Sequence, residues 1–330
     1  MSINRRDFLK GAAAGGAVAA CAAATASPAQ ARDTKTMPPK AVGLLYDSTL
    51  CIGCKACVKA CRDANDTHPE FSVMGEGGKP EVLWDTPQDT SGYTLNIIKA
   101  YAEGTADHKD QEKNGYAFIK KSCMHCVDPS CVSVCPVTAM RKDPETGIVS
   151  HHPEACIGCR YCVVSCPFGI PKFQYDTPTP QIAKCQLCRH RQAVGQIPAC
   201  AEVCPTGATL FGPVTALQEE TKRRRAAQPG EEMVFPRKTI GSSDTHVGHV
   251  PHYVPQTYGE KEMGGTQMML LSGVPFQKLG YPTLPEGSYA STSETIQHTV
   301  YKGMVAPVAV LGGLMYLAHK HTKHDGQDED

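Results

Sequence analysis

The stretch Cys51-Ile52-Gly53-Cys54-Lys55-Ala56-Cys57-Val58-Lys59-Ala60-Cys61 carries four cysteines at the spacing C-x2-C-x2-C-x3-C. A tight loop of this kind places three thiolates on three irons of one cubane, and its successive N–H groups turn inward toward the sulfurs. The fourth cysteine lies past the loop and points toward the other cluster of a pair. The stretch therefore predicts a ferredoxin-type scaffold built around [4Fe-4S] clusters.

Three further cysteine runs repeat or vary this pattern. The third run keeps the spacing, the second has two more residues before its third cysteine, and the fourth reaches its third cysteine over a longer loop. Their members are Cys123, Cys126, Cys131 and Cys135; Cys156, Cys159, Cys162 and Cys166; and Cys185, Cys188, Cys200 and Cys204. With the first run they use sixteen of the 17 cysteines, so we expect four [4Fe-4S] clusters.

Two other uses of cysteine fit this pattern poorly. Disulfides suit an exported chain, but the loops between adjacent C-x2-C cysteines are too short for a bridge to link separate parts of the chain. Zinc takes two C-x2-C pairs per tetrahedron and does not need a third cysteine plus a distant fourth. Because every cluster would have four thiolates, no iron is left open for a substrate. The pattern therefore favours an electron-relay subunit without a catalytic residue over an enzyme.

The composition excludes one large class of partner. Lys plus Arg equals Asp plus Glu, at 33 each, so the chain lacks the one-signed basic surface that nucleic-acid binding usually requires. The chain has only one Trp and eight Phe, so few large aromatic side chains are available to fill a compact core. Metal clusters could organise the core in addition to side-chain burial.

The first 31 residues read as a twin-arginine export signal. Asn4-Arg5-Arg6-Asp7-Phe8-Leu9-Lys10 precedes a stretch of small residues and the small-x-small cleavage site Ala29-Gln30-Ala31. An amphipathic first helix is the alternative, but residues 11–26 lack a polar face. Cys21 lies in a weak lipoprotein-like box, so lipidation there stays open. Export by this route implies that the clusters are loaded before the chain leaves the cytoplasm.

The other end contains an apolar stretch. Residues 300–318 would extend over roughly 28 Å as a helix, close to the thickness of one hydrocarbon core. We expect a transmembrane helix over 298–319, with a buried helix of the soluble domain as the alternative. Basic residues beyond it favour a cytoplasmic tail over 320–330 and a body at the periplasmic face of the inner membrane.

Between the ends we predict an α+β fold of tandem ferredoxin-like [4Fe-4S] domains with loop-rich insertions. The four-cluster core covers 32–225 and carries an insert, 62–122, that either faces a partner or covers the core as a solvated loop. Three apolar stretches, 43–46, 117–119 and 208–211, suit strands. A hairpin is expected over 139–150.

Residues 226–297, rich in Pro, Gly and Tyr, are expected to wrap the core or a partner without regular structure. The run Lys222-Arg223-Arg224-Arg225 reads as the charged outer face of a helix. His246, His249 and His252 have ligand-like spacing but lack supporting carboxylates.

Several cations stand close to the cysteines in sequence. Positive charges there would offset the charge of the clusters and raise their reduction potentials, and the alternative for each is an ordinary solvated side chain. They are Lys55, Arg62, Lys121, Arg160, Lys184 and Arg189.

Three stretches carry a resemblance to a known family. Residues 45–51, 116–136 and 264–267 resemble the iron-sulfur electron-transfer subunit of the hydrogenase-2 type, a membrane-bound [NiFe] uptake hydrogenase. More broadly, the chain is similar to the four-cluster subunits of formate dehydrogenase N, nitrate reductase and dimethyl sulfoxide reductase.

The resemblance implies four ligand sets, because the first run pairs with the fourth and the second with the third. The implied sets are Cys51, Cys54, Cys57 with Cys204; Cys185, Cys188, Cys200 with Cys61; Cys123, Cys126, Cys131 with Cys166; and Cys156, Cys159, Cys162 with Cys135.

The resemblance also implies a function and the partners that it requires. Electrons from hydrogen oxidation would leave the hydrogenase large and small subunits, cross these clusters and reach a quinone-reactive integral membrane subunit. The alternatives are the same relay in a formate dehydrogenase or other molybdenum oxidoreductase, and a free-standing iron-sulfur enzyme. The chain's own export signal and the block 109–116 favour the hydrogenase.

Overall fold

The computed structural model describes residues 31–67 and 87–322. Most of the predicted export signal with Cys21, the part of the insert that holds Trp84, and residues 323–330 lie outside the described residues. The chain divides into two units: residues 34–290, and a second unit made of residues 1–33 and 291–330.

A three-stranded sheet forms the centre of the first unit. Its middle strand, β1 (Val42–Asp47), pairs antiparallel with β9 (Thr209–Pro213) and parallel with β12 (Met268–Leu271). Side chains alternate across this strand. Leu44 and Tyr46 belong to the core that contains several of the cysteines, whereas Leu45 packs into the second core on the other face. Both faces are covered, which explains the continuous apolar run of β1.

Gly43 permits the close approach of β1 and the segment before β12. A Cβ at this position would overlap the backbone carbonyl oxygen of Gln267, which cannot move without breaking the pairing. We expect Gly43→Ala to lower the free energy of unfolding by about 1–3 kcal/mol, measured as a lower urea midpoint. The control is Gly287→Ala, where an added Cβ has no described neighbour within 4 Å. Equal midpoints for the two variants would contradict this account.

The predicted insert contributes a second sheet. Strand β4 (Gly115–Lys121) lies between β2 (Ile97–Ala102) and β3 (His108–Lys109). Ile97, Ile98 and Ile119 are buried, so the described part of the insert belongs to the core. The prediction of a solvated covering loop is wrong for β2 and β4, because their apolar positions pack inward, whereas most residues of 102–114 are exposed.

Two small hairpins complete the strands of the cysteine region. They are β5 (Met140–Lys142) with β6 (Val149–His151), and β7 (Lys172–Phe173) with β8 (Ile182–Ala183). The first is the hairpin predicted over 139–150 and is confirmed. The three predicted strands also coincide with β1, β4 and β9, with boundaries that differ by one or two residues.

Most helices of the first unit are short and follow or contain cysteines. They are α1 (Ala56–Asn65), α2 (Ser130–Ser133), α3 (Tyr161–Ser165), α4 (Arg189–Gln192), α5 (Ala199–Glu202) and α6 (Val214–Ala226). The longest of them, α6, packs against the central sheet through Val214 and Leu217.

Residues 226–297 are more regular than expected. Besides β12, they contain the antiparallel pair β10 (Glu232–Pro236) and β11 (Thr245–His249) and a 3-10 turn at Glu262–Gly264. The prediction of a segment without regular structure is therefore wrong. These strands are only four or five residues long. The partner of β12 is β1, which lies more than 200 residues away in sequence, so no local pattern predicts this pairing.

The histidines of this region have structural neighbours. The His246 ring stacks on Phe235 with the ring centroids 5.5 Å apart. His249 Nδ1 lies 3.1 Å from the carbonyl oxygen of Gly230.

The second unit contains the long helix α7 (Tyr289–Thr322), which includes the predicted span 298–319. No helix in the described ranges combines the length and the apolarity needed to cross a membrane. We therefore correct the predicted transmembrane helix to a long helix.

Candidate iron-sulfur centres

The structure brings the sixteen described cysteines together in four groups. Three groups of four each line a separate cavity, and these cavities define sites A, B and D. Site A is formed by Cys51, Cys54, Cys57 and Cys204; site B by Cys61, Cys185, Cys188 and Cys200; and site D by Cys135, Cys156, Cys159 and Cys162.

The remaining cysteines, Cys123, Cys126, Cys131 and Cys166, form site C. Burial raises the pKa of the Cys126 thiol, and the negative charges of the other three raise it further. Electrostatic coupling of this kind requires that the four sulfur atoms lie near one another. The four groups are the same sets that the family resemblance implies. The role of each cysteine as an iron ligand stays a prediction.

The loop geometry of sites A and D explains why their spacing recurs. Gly53 and Gly158 adopt φ values of 70° and 68°, and Lys55 and Arg160, two residues later, are also left-handed, at 58° and 64°. Each of these left-handed pairs precedes a helix that carries the third cysteine of its run. The same local sequence therefore produces the same turn twice.

Backbone amides point at several cysteine sulfurs. Gly53 N donates to Cys51 Sγ at 3.4 Å and Leu187 N donates to Cys185 Sγ at 3.4 Å. Met140 N donates to Cys135 Sγ at 3.5 Å. Donors in these positions stabilise negative charge on sulfur, as a thiolate-bound cluster requires.

The buried thiols need a positive partner to ionise. Burial raises the pKa of Cys185 to about 12 and that of Cys162 to about 11, since a lone thiolate in an apolar site is costly. Metal ligation replaces the proton and removes this cost. Four soft sulfur donors around a cavity that no side chain fills fit an iron-sulfur cubane.

Within the described residues, no group of three or more His, Cys, Asp or Glu side chains is arranged to hold a single metal ion. In a cubane each thiolate binds a different iron, so the four sulfurs do not converge on one point.

The four sites lie in the order A, B, C, D. Burial raises the pKa of Cys200 in site B, and the charges of Cys57 and Cys204 in site A add to this effect. In the same way Cys123 of site C acts on Cys185 of site B, and Cys162 of site D acts on Cys131 of site C. Each site is thus an electrostatic neighbour of the next, which suits stepwise passage of electrons.

Two buried lysines, Lys120 and Lys184, and the half-buried Lys142 accompany these sites, and only Lys184 was predicted. Lys184 lies 3.7 Å from Cys123 Sγ and donates to the carbonyl oxygen of Cys185 at 2.9 Å, where sites B and C meet. Lys120 and Lys142 were missed. Lys142 donates to the carbonyl oxygen of Cys126 at 3.0 Å, and burial lowers its pKa to about 8.

Of the other predicted cations, Lys55 lines the cavity of site A and Arg160 lines that of site D. Lys121 forms an ion pair with Asp89 at 2.7 Å, and Arg62 donates to Thr94 Oγ1 at 3.0 Å. Arg160 and Arg189 are exposed. Lys120 directly follows the predicted strand 117–119 and precedes Lys121, so nothing in the local sequence distinguishes it from a solvated lysine.

A buried charge network fixes α6 to the central sheet. Arg224 is completely buried and donates to Asp47 Oδ2 at 2.8 Å and to Glu220 Oε1 at 2.7 Å. Tyr253 donates its hydroxyl to the same Asp47 oxygen at 2.6 Å. The predicted charged outer face is therefore wrong at Arg224. Leu217, Glu220, Thr221 and Arg224 recur at helical spacing and face the sheet.

Comparison with known proteins agrees with this geometry. The 4Fe-4S dicluster domain family matches residues 115–214. The hydrogenase-2 operon protein HybA of Escherichia coli O157:H7 is 49% identical over 334 residues, covering 99% of each chain. The nitrate-inducible formate dehydrogenase iron-sulfur subunit of Escherichia coli K12 is 32% identical, covering 86% of this chain and 83% of the relative. The Haemophilus influenzae homologue of protein NrfC is 34% identical, covering 75% and 95%. Full-length similarity, the dicluster match and the grouped cysteines together show that this chain is a [4Fe-4S] protein and belongs to the HybA family.

Proposed function

We propose that this chain is the electron-transfer subunit of a membrane-bound uptake [NiFe] hydrogenase. It would accept electrons released by hydrogen oxidation and pass them through four [4Fe-4S] clusters to a quinone-reactive membrane subunit. The observation that carries the proposal is the succession of sites A to D, each with four cysteines and each next to the following one.

The donor set supports relay rather than catalysis. Each site offers four cysteines, so a bound cubane has a protein ligand for every iron and no open position for a substrate. The cluster supplies reversible one-electron transfer when bound. The protein holds the thiolates in place, directs N–H donors at several of them and buries six of the sixteen.

The hydrogenase large and small subunits and the quinone-reactive subunit are the partners that this role requires. The identity of 49% with a hydrogenase-2 operon protein, against 32% with a formate dehydrogenase iron-sulfur subunit, supports a hydrogenase. The similarity to formate dehydrogenase iron-sulfur subunits supports the second candidate, a relay in a molybdenum oxidoreductase.

The location that fits this role is the periplasmic face of the inner membrane. The Arg5-Arg6 pair and the Ala29-Gln30-Ala31 site support passage through the twin-arginine export machinery. Cell fractionation should place the mature chain with periplasmic or membrane material, and a chain confined to the cytoplasm would contradict the proposal.

The decisive experiment isolates the native complex without oxygen. Four cubanes require about 16 Fe in this chain, counted after its partners are removed because a [NiFe] hydrogenase contains iron of its own. A hydrogenase partner requires copurifying nickel without molybdenum. Hydrogen gas should then reduce the clusters, as followed by paramagnetic resonance. Molybdenum in place of nickel would favour the second candidate. Turnover by the isolated chain, or a cluster with an exchangeable iron, would indicate a free-standing enzyme instead.

A further inference from the structure

Lys120 is a completely buried lysine in strand β4. The neighbouring residues Ala117 and Ile119 belong to the apolar core, and the side chain of Lys120 is as inaccessible as theirs. The hydroxyl of Tyr281 donates to the backbone carbonyl of Lys120 and so fixes this part of the strand. Such a position is costly for an ammonium group unless an anion faces it.

The groups that face Lys120 come from two adjacent sites. Its side chain lines the cavity of site B, together with Cys61, Cys185 and Cys200. The thiolates of Cys200, Cys57, Cys61 and Cys185 all favour its charged form and outweigh the opposing effect of burial, so its pKa is raised. Cys57 belongs to site A, so Lys120 stands where sites A and B meet.

No other group in the described structure competes for this charge. The ammonium of Lys120 has no hydrogen-bond partner and forms no ion pair with a carboxylate among the described residues. Asn96 lines the same cavity. Its amide nitrogen donates to the carbonyl oxygen of Cys57 at 3.0 Å, and its buried Oδ1 makes no hydrogen bond with the Lys120 ammonium. The charge of Lys120 is therefore directed at the cysteine sulfurs and at what they bind.

We infer that Lys120 is a fixed positive charge shared by sites A and B that raises the reduction potentials of both clusters. The inference rests on the proposed relay function. Reduction adds one electron to a cubane and makes it more negative, so a nearby cation stabilises the reduced form more than the oxidised form. No proton or ligand needs to move.

Lys184 differs from Lys120 in its partners. Its ammonium donates to the backbone carbonyl oxygens of Val149 and Cys185 and lies near Cys123 Sγ. It belongs to the contact between sites B and C. The two lysines consequently act on different pairs of clusters, and removing Lys120 should leave sites C and D nearly unchanged.

The test compares Lys120→Met, Lys120→Arg and the matched control Lys121→Met in the anaerobically prepared complex. Lys121 is the adjacent residue but forms an ion pair with Asp89 near the surface. Redox titration followed by paramagnetic resonance gives the midpoint potentials of all four clusters, and iron analysis shows whether they are present.

Lys120→Met should disfavour reduction of two of the four clusters by on the order of tenfold in equilibrium constant, which is 59 mV for a one-electron couple. Lys120→Arg and Lys121→Met should keep the original potentials. Iron loss in Lys120→Met but not in Lys120→Arg would also support the inference, since it would show that two adjacent anionic clusters need the charge.

Other outcomes overturn the inference. These are unchanged potentials in Lys120→Met with all iron retained, an equal shift in Lys121→Met, or an equal shift or iron loss in Lys120→Arg. If the unmodified chain instead lacked about 16 Fe, the proposed relay itself would fail, so the two failures are distinguishable.

Discussion

Replacing both Cys188 and Cys200 by alanine is expected to remove one complete cluster and stop the relay. Both thiols are buried and belong to site B, where only Cys61 and Cys185 would remain. Two thiolates cannot hold a cubane, so iron should fall from about 16 to about 12 per chain. Because site B lies between sites A and C, electrons entering at one end would not reach the other.

The functional measurement is hydrogen-dependent quinone reduction by the intact complex. We expect a fall of more than about 100-fold, because even the loss of outer partners of a metal site costs 10–100-fold. Hydrogen-dependent reduction of an artificial acceptor by the catalytic partner should continue. Val203→Ala is the matched control, since Val203 is partly exposed and adjoins Cys204 without belonging to a site. Retention of about 16 Fe or of quinone reduction in the double variant would contradict the assigned path.

The second large effect is expected for Arg224→Met. The change leaves the Asp47 carboxylate, which is completely buried, without its cation, and leaves Glu220 with Arg223 alone. Removing one partner of a buried ion pair typically lowers the free energy of unfolding by about 3–5 kcal/mol. Methionine keeps much of the side-chain volume, so the loss reports mainly on charge.

The measurement is the urea midpoint of the cluster-loaded chain, followed by cluster absorbance. Lys222→Met serves as the control because Lys222 is exposed on the same helix. The control should unfold close to the midpoint of the unmodified chain. If Arg224→Met and Lys222→Met unfold at the same urea concentration, Arg224 does not fix α6 to the sheet.

Cysteine spacing allowed the four sites to be anticipated, because the loop that binds a cubane is local. Gly53 and Gly158, with the left-handed residues that follow them, are encoded within a few positions. The grouping of Cys204 with the first run is not local, and it was implied by the family resemblance rather than by spacing.

The features that the sequence did not reveal depend on distant partners. Lys120 and Arg224 look like solvated cations until the strands and helices are assembled around them. Whether a charge is buried depends on the anion that it meets, and those anions lie up to 177 residues away, as for Arg224 and Asp47.

The pairing of β1 with β9 and β12 has a consequence for synthesis. The first strand of the core emerges from the ribosome early, but its neighbours follow only after about 160 and 220 further residues. Non-local pairing of this kind delays folding, and exposed strand edges invite aggregation during the delay. The nascent chain therefore needs protection, by a chaperone or by early loading of iron at its local loops, until translation has passed residue 271.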